Sequence, residues 1–263
     1  MSQNHVVDNS AKYSGDKMKA LILAAGEGTR LRPLTYGIPK PLLPVGGIPT
    51  IDYGIENLAA VLEMGEIYVG VSHLEDNINR YFRNKTYRVP VYTVHTNCLE
   101  TGGDLKTLAK AAHVDKTFFG CNGDIVTKIN LQEAIDYHRE KKGLGTIVLF
   151  EVKKEETPRF GIARLESDGR ISEFVEKPSL DTAPSNFANA GYYVLEPRII
   201  DMIPDGKVRI EPTVFAKLAR RGELYGYVAN PQFWIDIGTL ESYLDANKIV
   251  LQKKGIIPPP QNR

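Results

Sequence analysis

Apolar residues recur along the first half of the chain in two alternating rhythms. Nearly continuous β-leaning runs occur at KALILAA (19–25), EIYVGVS (66–72), VPVYTVH (89–95), TFFGCN (117–122) and GTIVLFEV (145–152). Such runs read as strands covered on both faces. Between them the spacing turns helical. In IDYGIENLAAVLEMG (51–65), Ile51, Ile55, Leu58 and Leu62 fall at i, i+4, i+7 and i+11, which predicts one apolar helix face. LEDNINRYF (74–82) and LQEAIDYHREKK (131–142) repeat the pattern, with charges opposite. Strands and helices alternating over short connections predict a doubly wound, mostly parallel, Rossmann-like α/β sheet. Ligands of such sheets sit beyond the carboxyl ends of the strands, where LAAGEGTR and CNGD fall.

From about residue 153 the texture changes. FGIARLESDGRISEFVEKP (160–178) alternates on either side of Ser167-Asp168-Gly169 and reads as a β-hairpin. NFANAGYYVLEP (186–197) is a further strand, and PTVFAKLARRG (212–222) a helix stopped by Gly222. ELYGYVAN (223–230) and FWIDIGT (233–239) follow, then a last helix from Leu240 to about Lys254, capped by Thr239. No repeat or low-complexity linker divides the halves. The second half therefore reads as a smaller β-rich lobe (about 153–254) built on the first (about 18–152). MSQNHVVDNSAKYSGDK (1–17) reads as a loose polar arm, and residues 255–263 as a tail that cannot continue a helix.

Bulk properties narrow the function by exclusion. Lys plus Arg (33) nearly balances Asp plus Glu (32), so no global basic field recruits nucleic acid, and any anion site is local. No apolar run approaches the roughly 20 residues that cross a bilayer. The polar start lacks the apolar core of a secretory signal, and Cys98 and Cys121 form neither a metal spacing nor a disulfide framework. A cytoplasmic, reducing location is the resulting expectation. Cys121 reads as a buried hydrophobe, and the five histidines share no spacing.

LAAGEGTRLRPLT (23–35) opens on Gly-x-Gly after a strand, which raises a dinucleotide turn as one reading. The third glycine of that fingerprint is Leu31 here, and the acid expected about 20 residues later is only Asp52, inside a helix. A P-loop fails as well, for want of Gly-Lys-Ser/Thr. Instead Thr29-Arg30 follows, and then Pro39-Lys40-Pro41. Gly26 and Gly28 let backbone N–H groups approach phosphate oxygens, while Arg30 offers a planar fork and Lys40 a point charge on a stiffened backbone. That combination suits a triphosphate. Further on, Asp124 ends an apolar strand in GCNGDIV (120–126), where it reads equally as turn chemistry or as a ligand for a hard cation. Asp236 lies between Trp234, Ile235 and Ile237, where an unpaired charge is costly and a site is favoured.

LAAGEGTRLRPLT followed by PKPLLPVGGIP resembles the signature of the sugar-phosphate nucleotidyltransferases, the nucleotide-sugar pyrophosphorylases, and the likeness runs from about Met18 to Leu251. These enzymes join a nucleoside triphosphate to a sugar 1-phosphate and release pyrophosphate. The resemblance implies a nucleotide site of Leu23, Ala24, Ala25, Gly26, Gly28, Thr29, Arg30 and Lys40. It also implies catalytic Mg²⁺ held by Asp124 and Asp236. Lys177 in FVEKP would hold the sugar phosphate, and Glu176, Asn189 and Gly161 would meet the sugar. LETGGDLK (99–106), read as a loop before a helix, would lay Thr101, Gly102 and Gly103 against the base. Glu100 and Asp104 depart there from the family's Leu-Gly-Thr-small-Gly.

The ending FWIDIGTLESYLDANKIVL is most similar to mannose 1-phosphate guanylyltransferases, which implies GTP and mannose 1-phosphate. Glucose 1-phosphate thymidylyl- or uridylyltransferases come next. The short C-terminus is expected to exclude the repeat domain that some relatives use for oligomerisation or a second activity, and the oligomeric state stays open, a homo-oligomer included. Competing classes are a non-catalytic nucleotide-sugar sensor, disfavoured because Arg30, Lys40, Asp124, Asp236 and Lys177 are all present, and an NAD-dependent oxidoreductase, disfavoured by Leu31.

Overall fold

The computed structural model describes residues 17–256; most of the predicted arm and tail lies outside the described residues. The chain begins with β1 (Met18–Leu23), whose Ala20, Leu21 and Ile22 have no exposed surface. A small hairpin, β2 (Pro44–Val45) and β3 (Ile48–Pro49), leads into α1 (Thr50–Ala59). Then come β4 (Met64–Val71), α2 (Glu75–Arg83), β5 (Val91–His95), α3 (Glu100–Ala111) and β6 (Phe118–Asn122). A two-residue turn separates β6 from β7 (Ile125–Thr127), followed by α4 (Leu131–Lys141) and β8 (Gly145–Glu151).

The hairpin read around Asp168 is β9 (Gly161–Leu165) with β10 (Ile171–Glu176), paired antiparallel. β11 (Phe187–Leu195), α5 (Arg198–Met202), a π-helical turn (Glu211–Phe215) and α6 (Ala216–Arg221) lead to β12 (Leu224–Val228) and β13 (Trp234–Asp236). Gly222, at φ 68°, ends α6. α7 (Leu240–Lys253) starts on Thr239, whose hydroxyl accepts the Ser242 N–H while Ser242 Oγ accepts the Thr239 N–H.

Nine strands form one sheet in the order β10-β9-β11-β6-β1-β4-β5, with β8 beside β11 and β12 beside β8. β1, β4, β5, β6, β8, β9 and β12 run one way, and only β10 and β11 oppose them. This is the mostly parallel α/β sheet that the alternation predicts. β11 joins the halves: β8 runs along one of its edges, while β9 and then β6 pair with the other.

One helix is shorter than its pattern. α1 stops at Ala59, and Leu62, expected on the apolar face, is 75% exposed. Met64 has to open β4 beside Met18, whose N–H donates to Glu63 O at 2.8 Å, so the chain leaves the helix through tight turns at 60–63. Parallel pairing overrides the local rhythm.

Candidate active site

β1 and β6 are neighbours, with Leu23 opposite Asn122, and both end at the same sheet edge. The Gly123 N–H donates to Leu23 O at 2.9 Å and ties the two exits together. Residues 23–29, Lys40, Thr101 and Asn122–Asp124 line one cleft of about 590 Å³ there. Gly28 takes φ 65°, a left-handed turn natural to glycine, and the loop doubles back over Lys40. A Cβ on Gly28 would lie 3.0 Å from Thr35 Cγ2 and 3.1 Å from Lys40 Cβ. Thr35 Oγ1 donates to Gly28 O at 2.9 Å and fixes that fold-back.

Lys40, 14% exposed, points from beneath the loop at Asp124, with Nζ 2.7 Å from Oδ2. Burial alone would raise the Asp124 carboxyl, but the Lys40 ammonium, with Arg30 further off, outweighs it and holds the group below its usual range. β13 pairs antiparallel with β7, Asp236 opposite Ile125, and the Ile237 N–H donates to Asp124 O at 3.0 Å. Aspartates 112 residues apart in the chain are thereby brought side by side, Asp236 at the end of β13 and Asp124 in the turn just before β7. Arg30 lies on the Asp236 side: a Cβ on Gly238 would sit 2.7 Å from Asp236 Oδ2 and 3.3 Å from Arg30 Nη2.

Two carboxylates offer hard oxygen donors of the kind Mg²⁺ takes. Among the described residues no group of three or more His, Cys, Asp or Glu gathers to enclose a metal. The remaining ligands would be substrate phosphate and water, the usual habit of Mg²⁺. Asn122 Oδ1, on the same cleft, is buried without a hydrogen-bond partner among the described residues, an acceptor left for a bound water or ligand. The donor set fits a cation shared between protein and substrate.

The base loop is a correction. LETGGDLK is no loop: α3 begins at Glu100, so Thr101, Gly102 and Gly103 form its first turn. The Gly102 and Gly103 N–H groups both donate to Val208 O, at 2.8 and 3.2 Å. A Cβ would meet Val208 O at 2.9 Å from Gly102, and Gly206 O at 2.4 Å from Gly103. These glycines admit the backbone of 206–208, and they do not line the cleft. Thr101 does, together with Asp104, whose Oδ1 accepts the Leu99 N–H at 2.9 Å.

In the second half of the chain Gly161 stands opposite Glu176 across β9 and β10. Lys177 takes φ 49°, anchors its N–H on Phe160 O at 2.9 Å and leaves its side chain exposed. Asn189 is held within β11: Nδ2 donates to Tyr193 OH at 2.9 Å, and Oδ1 accepts the Gly191 N–H at 2.8 Å. Three residues not singled out in the sequence connect these parts. Glu211, 5% exposed, accepts from Thr101 Oγ1 at 2.7 Å, and burial pushes its carboxyl up against that hydrogen bond. Arg209 pairs with Glu176 at 2.7 Å and reaches Glu211 at 4.0 Å. Arg159 pairs with Asp236 at 3.3 Å. A chain of polar contacts therefore runs from the cleft at Thr101 to Glu176. Glu211 carries the same signal as Asp236, a carboxylate inside an apolar run (VRIEPTVF); Arg159 carries none.

Three of the histidines have local partners. His138, 2% exposed, bonds Thr146 and Glu196, and burial lowers its pKa. His73 meets Thr35 O, and His95 pairs with Glu75.

A family model described as nucleotidyl transferase matches residues 19–253. A UTP–glucose-1-phosphate uridylyltransferase of Synechocystis is 36% identical over 253 residues, 90% of this chain and 64% of that protein. Mannose-1-phosphate guanylyltransferase 1 of Arabidopsis thaliana is 35% identical over 241 residues, 89% of this chain and 65% of that protein. The chain thus spans just under two-thirds of the length of these relatives. A crystal structure of apo UDP-glucose pyrophosphorylase shares the fold, with a TM-score of 0.78 at 23% identity over 91% of this chain and 100% of that one. The family match starts within β1 and ends in α7, so it takes in the phosphate loop and both carboxylates, and the chain belongs to the nucleotidyl transferase family.

Proposed function

We propose that the chain is a sugar-1-phosphate nucleotidyltransferase that joins GTP to mannose 1-phosphate, with release of pyrophosphate. The observation that carries the reaction is the meeting of Asp124, Asp236, Lys40 and Arg30 at the mouth of a cleft floored by the glycine loop. A sugar-phosphate oxygen forms a bond to the α-phosphorus, the bond from that phosphorus to the β-bridging oxygen breaks, and pyrophosphate leaves with the electron pair. A phosphate monoester is already anionic at neutral pH, so no general base is needed. The site's work is positioning and charge.

Loop N–H groups and Lys40 hold the triphosphate, and Arg30 stabilises the leaving side. Lys177 binds the sugar phosphate, with Glu176 and Asn189 beside the sugar. Asp124 and Asp236 would hold Mg²⁺, which would supply neutralising positive charge to the reacting phosphates. Gly238 bears on this geometry directly. Gly238→Ala is expected to lower kcat about 10- to 100-fold, because its Cβ would displace Asp236 Oδ2, 2.7 Å away, from its place. An unchanged kcat would remove Asp236 from the site.

Asp104 favours guanine. It lines the same cleft as Thr101 with a carboxylate acceptor, and guanine presents two donors, N1–H and the 2-amino group, on one edge. A second reading, UTP with glucose 1-phosphate, is favoured by the 36% identity to the Synechocystis uridylyltransferase. A panel of triphosphates and sugar 1-phosphates, assayed by pyrophosphate release, separates the two. GTP with mannose 1-phosphate is expected to give the largest kcat/KM; preference for another pair replaces the substrate, and no release with any pair returns the chain to a nucleotide-sugar sensor.

A further inference from the structure

Each carboxylate assigned to the cation already holds a side-chain cation: Lys40 on Asp124 at 2.7 Å, and Arg159 on Asp236 at 3.3 Å. The two pairs are unlike. Lys40 is 14% exposed and pinned beneath Gly28, whereas Arg159 is 53% exposed at the end of a 3-10 segment, Lys154–Arg159. Arg159 has other resting contacts within reach, Glu156 at 3.8 Å and the Phe160 ring at 5.2 Å, so it can leave Asp236 without being stranded.

We propose that Arg159 is an exchangeable counter-ion: it occupies Asp236 in the empty site and transfers to the sugar phosphate when a divalent cation takes that carboxylate. The proposal rests on the reaction proposed above. One observation and one charge argument give it direction. Phe160, the next residue, binds the Lys177 N–H through its carbonyl at 2.9 Å, so Arg159 and Lys177 share one edge. An incoming phosphomonoester carries nearly two negative charges, which one lysine cannot balance, and a guanidinium fork matches phosphate oxygens. A guanidinium and a divalent cation on one carboxylate repel each other and compete for its single negative charge. Metal binding would therefore free the cation that the second substrate needs, and the two binding events help each other.

The test titrates Mn²⁺ alone onto the whole chain, followed by electron paramagnetic resonance of the free ion. Arg159→Gln is expected to bind Mn²⁺ about three- to fivefold more tightly than wild type, the scale of one half-exposed ion pair. Adding Asp236→Asn should cancel that gain. Arg164→Gln, which breaks a comparable pair with Glu173 at 3.4 Å, controls for general loss of positive charge and should leave Mn²⁺ binding unchanged. In steady state Arg159→Gln should raise KM for the sugar 1-phosphate about tenfold and leave KM for the triphosphate alone. Unchanged or weaker Mn²⁺ binding, absence of binding by both chains, an equal gain in Arg164→Gln, or equal KM changes for both substrates would each overturn the proposal. If wild type released no pyrophosphate with any pair, the reaction would fall, while the Mn²⁺ titrations would still decide whether Arg159 guards Asp236.

Discussion

Asp124→Asn is expected to lower kcat for pyrophosphate release by about 10²–10³-fold, the scale on which a preorganised charged group contributes to a transition state. Asparagine keeps the shape of the side chain and an oxygen, so the turn after β6 should persist. What disappears is the charge that draws in a divalent cation and neutralises Lys40 at 2.7 Å. Lys40 would then point an uncompensated ammonium into the same cleft. Triphosphate affinity should therefore fall far less than turnover, which separates this variant from one that has lost its fold. Asp236→Asn should match it in kcat, with Arg159 rather than Lys40 released. Circular dichroism and thermal melts establish that each variant is folded. A folded Asp124→Asn chain within about tenfold of wild-type kcat would take the metal assignment down.

Much of this site is legible in the sequence because it lies close to strand ends. The Gly-x-Gly loop follows β1, Asp124 follows β6, and a period of apolar residues marks both strands. Asp236 is legible for a different reason: a carboxylate among Trp234, Ile235 and Ile237 must have a partner. What the sequence hides is the identity of partners brought by tertiary pairing. Nothing in TPRFG marks Arg159 as the residue that meets Asp236, 77 positions away. The loop read at 99–106 turns out to be a helix start for the same reason. Two adjacent glycines suit a flat ligand and a crossing backbone equally, and only the folded chain shows that residues 206–208 fill the space. Leu62 misleads in another way, since helical periodicity does not record where a parallel strand must begin.

Asp52 shows how a residue rejected for one role acquires another, and its removal should cost the fold far more than Asp124→Asn or Asp236→Asn. It is no ribose acid: it lies in the first turn of α1 with no exposed surface. Tyr81 OH donates to its Oδ2 at 2.6 Å and Tyr87 OH to its Oδ1 at 2.7 Å, while Lys85 forms an ion pair with Oδ2. The Lys85 ammonium also sits over both tyrosine rings, at 5.3 and 5.2 Å. One carboxylate thus fastens α1 to α2 and to the segment after it. Asp52→Ala takes the acceptor from two hydroxyls and the counter-charge from the ammonium, leaving Lys85 Nζ only its 2.8 Å contact with Tyr81 OH and the two rings. Breaking a buried pair costs about 3–5 kcal/mol, and because Lys85 is 35% exposed the expected loss is about 2–4 kcal/mol of unfolding free energy. At about 2–4 °C per kcal/mol for a chain of this size, the melting temperature should fall by roughly 5–15 °C. The cause can be separated from simple cavity formation. If the stranded charge dominates, Lys85→Met in the Asp52→Ala background should recover a substantial part of the loss, whereas Lys85→Met alone should destabilise by leaving Asp52 buried and unpaired. Additive losses in that double-mutant cycle, measured by denaturant unfolding, would mean that the carboxylate acts through packing and not through its charge.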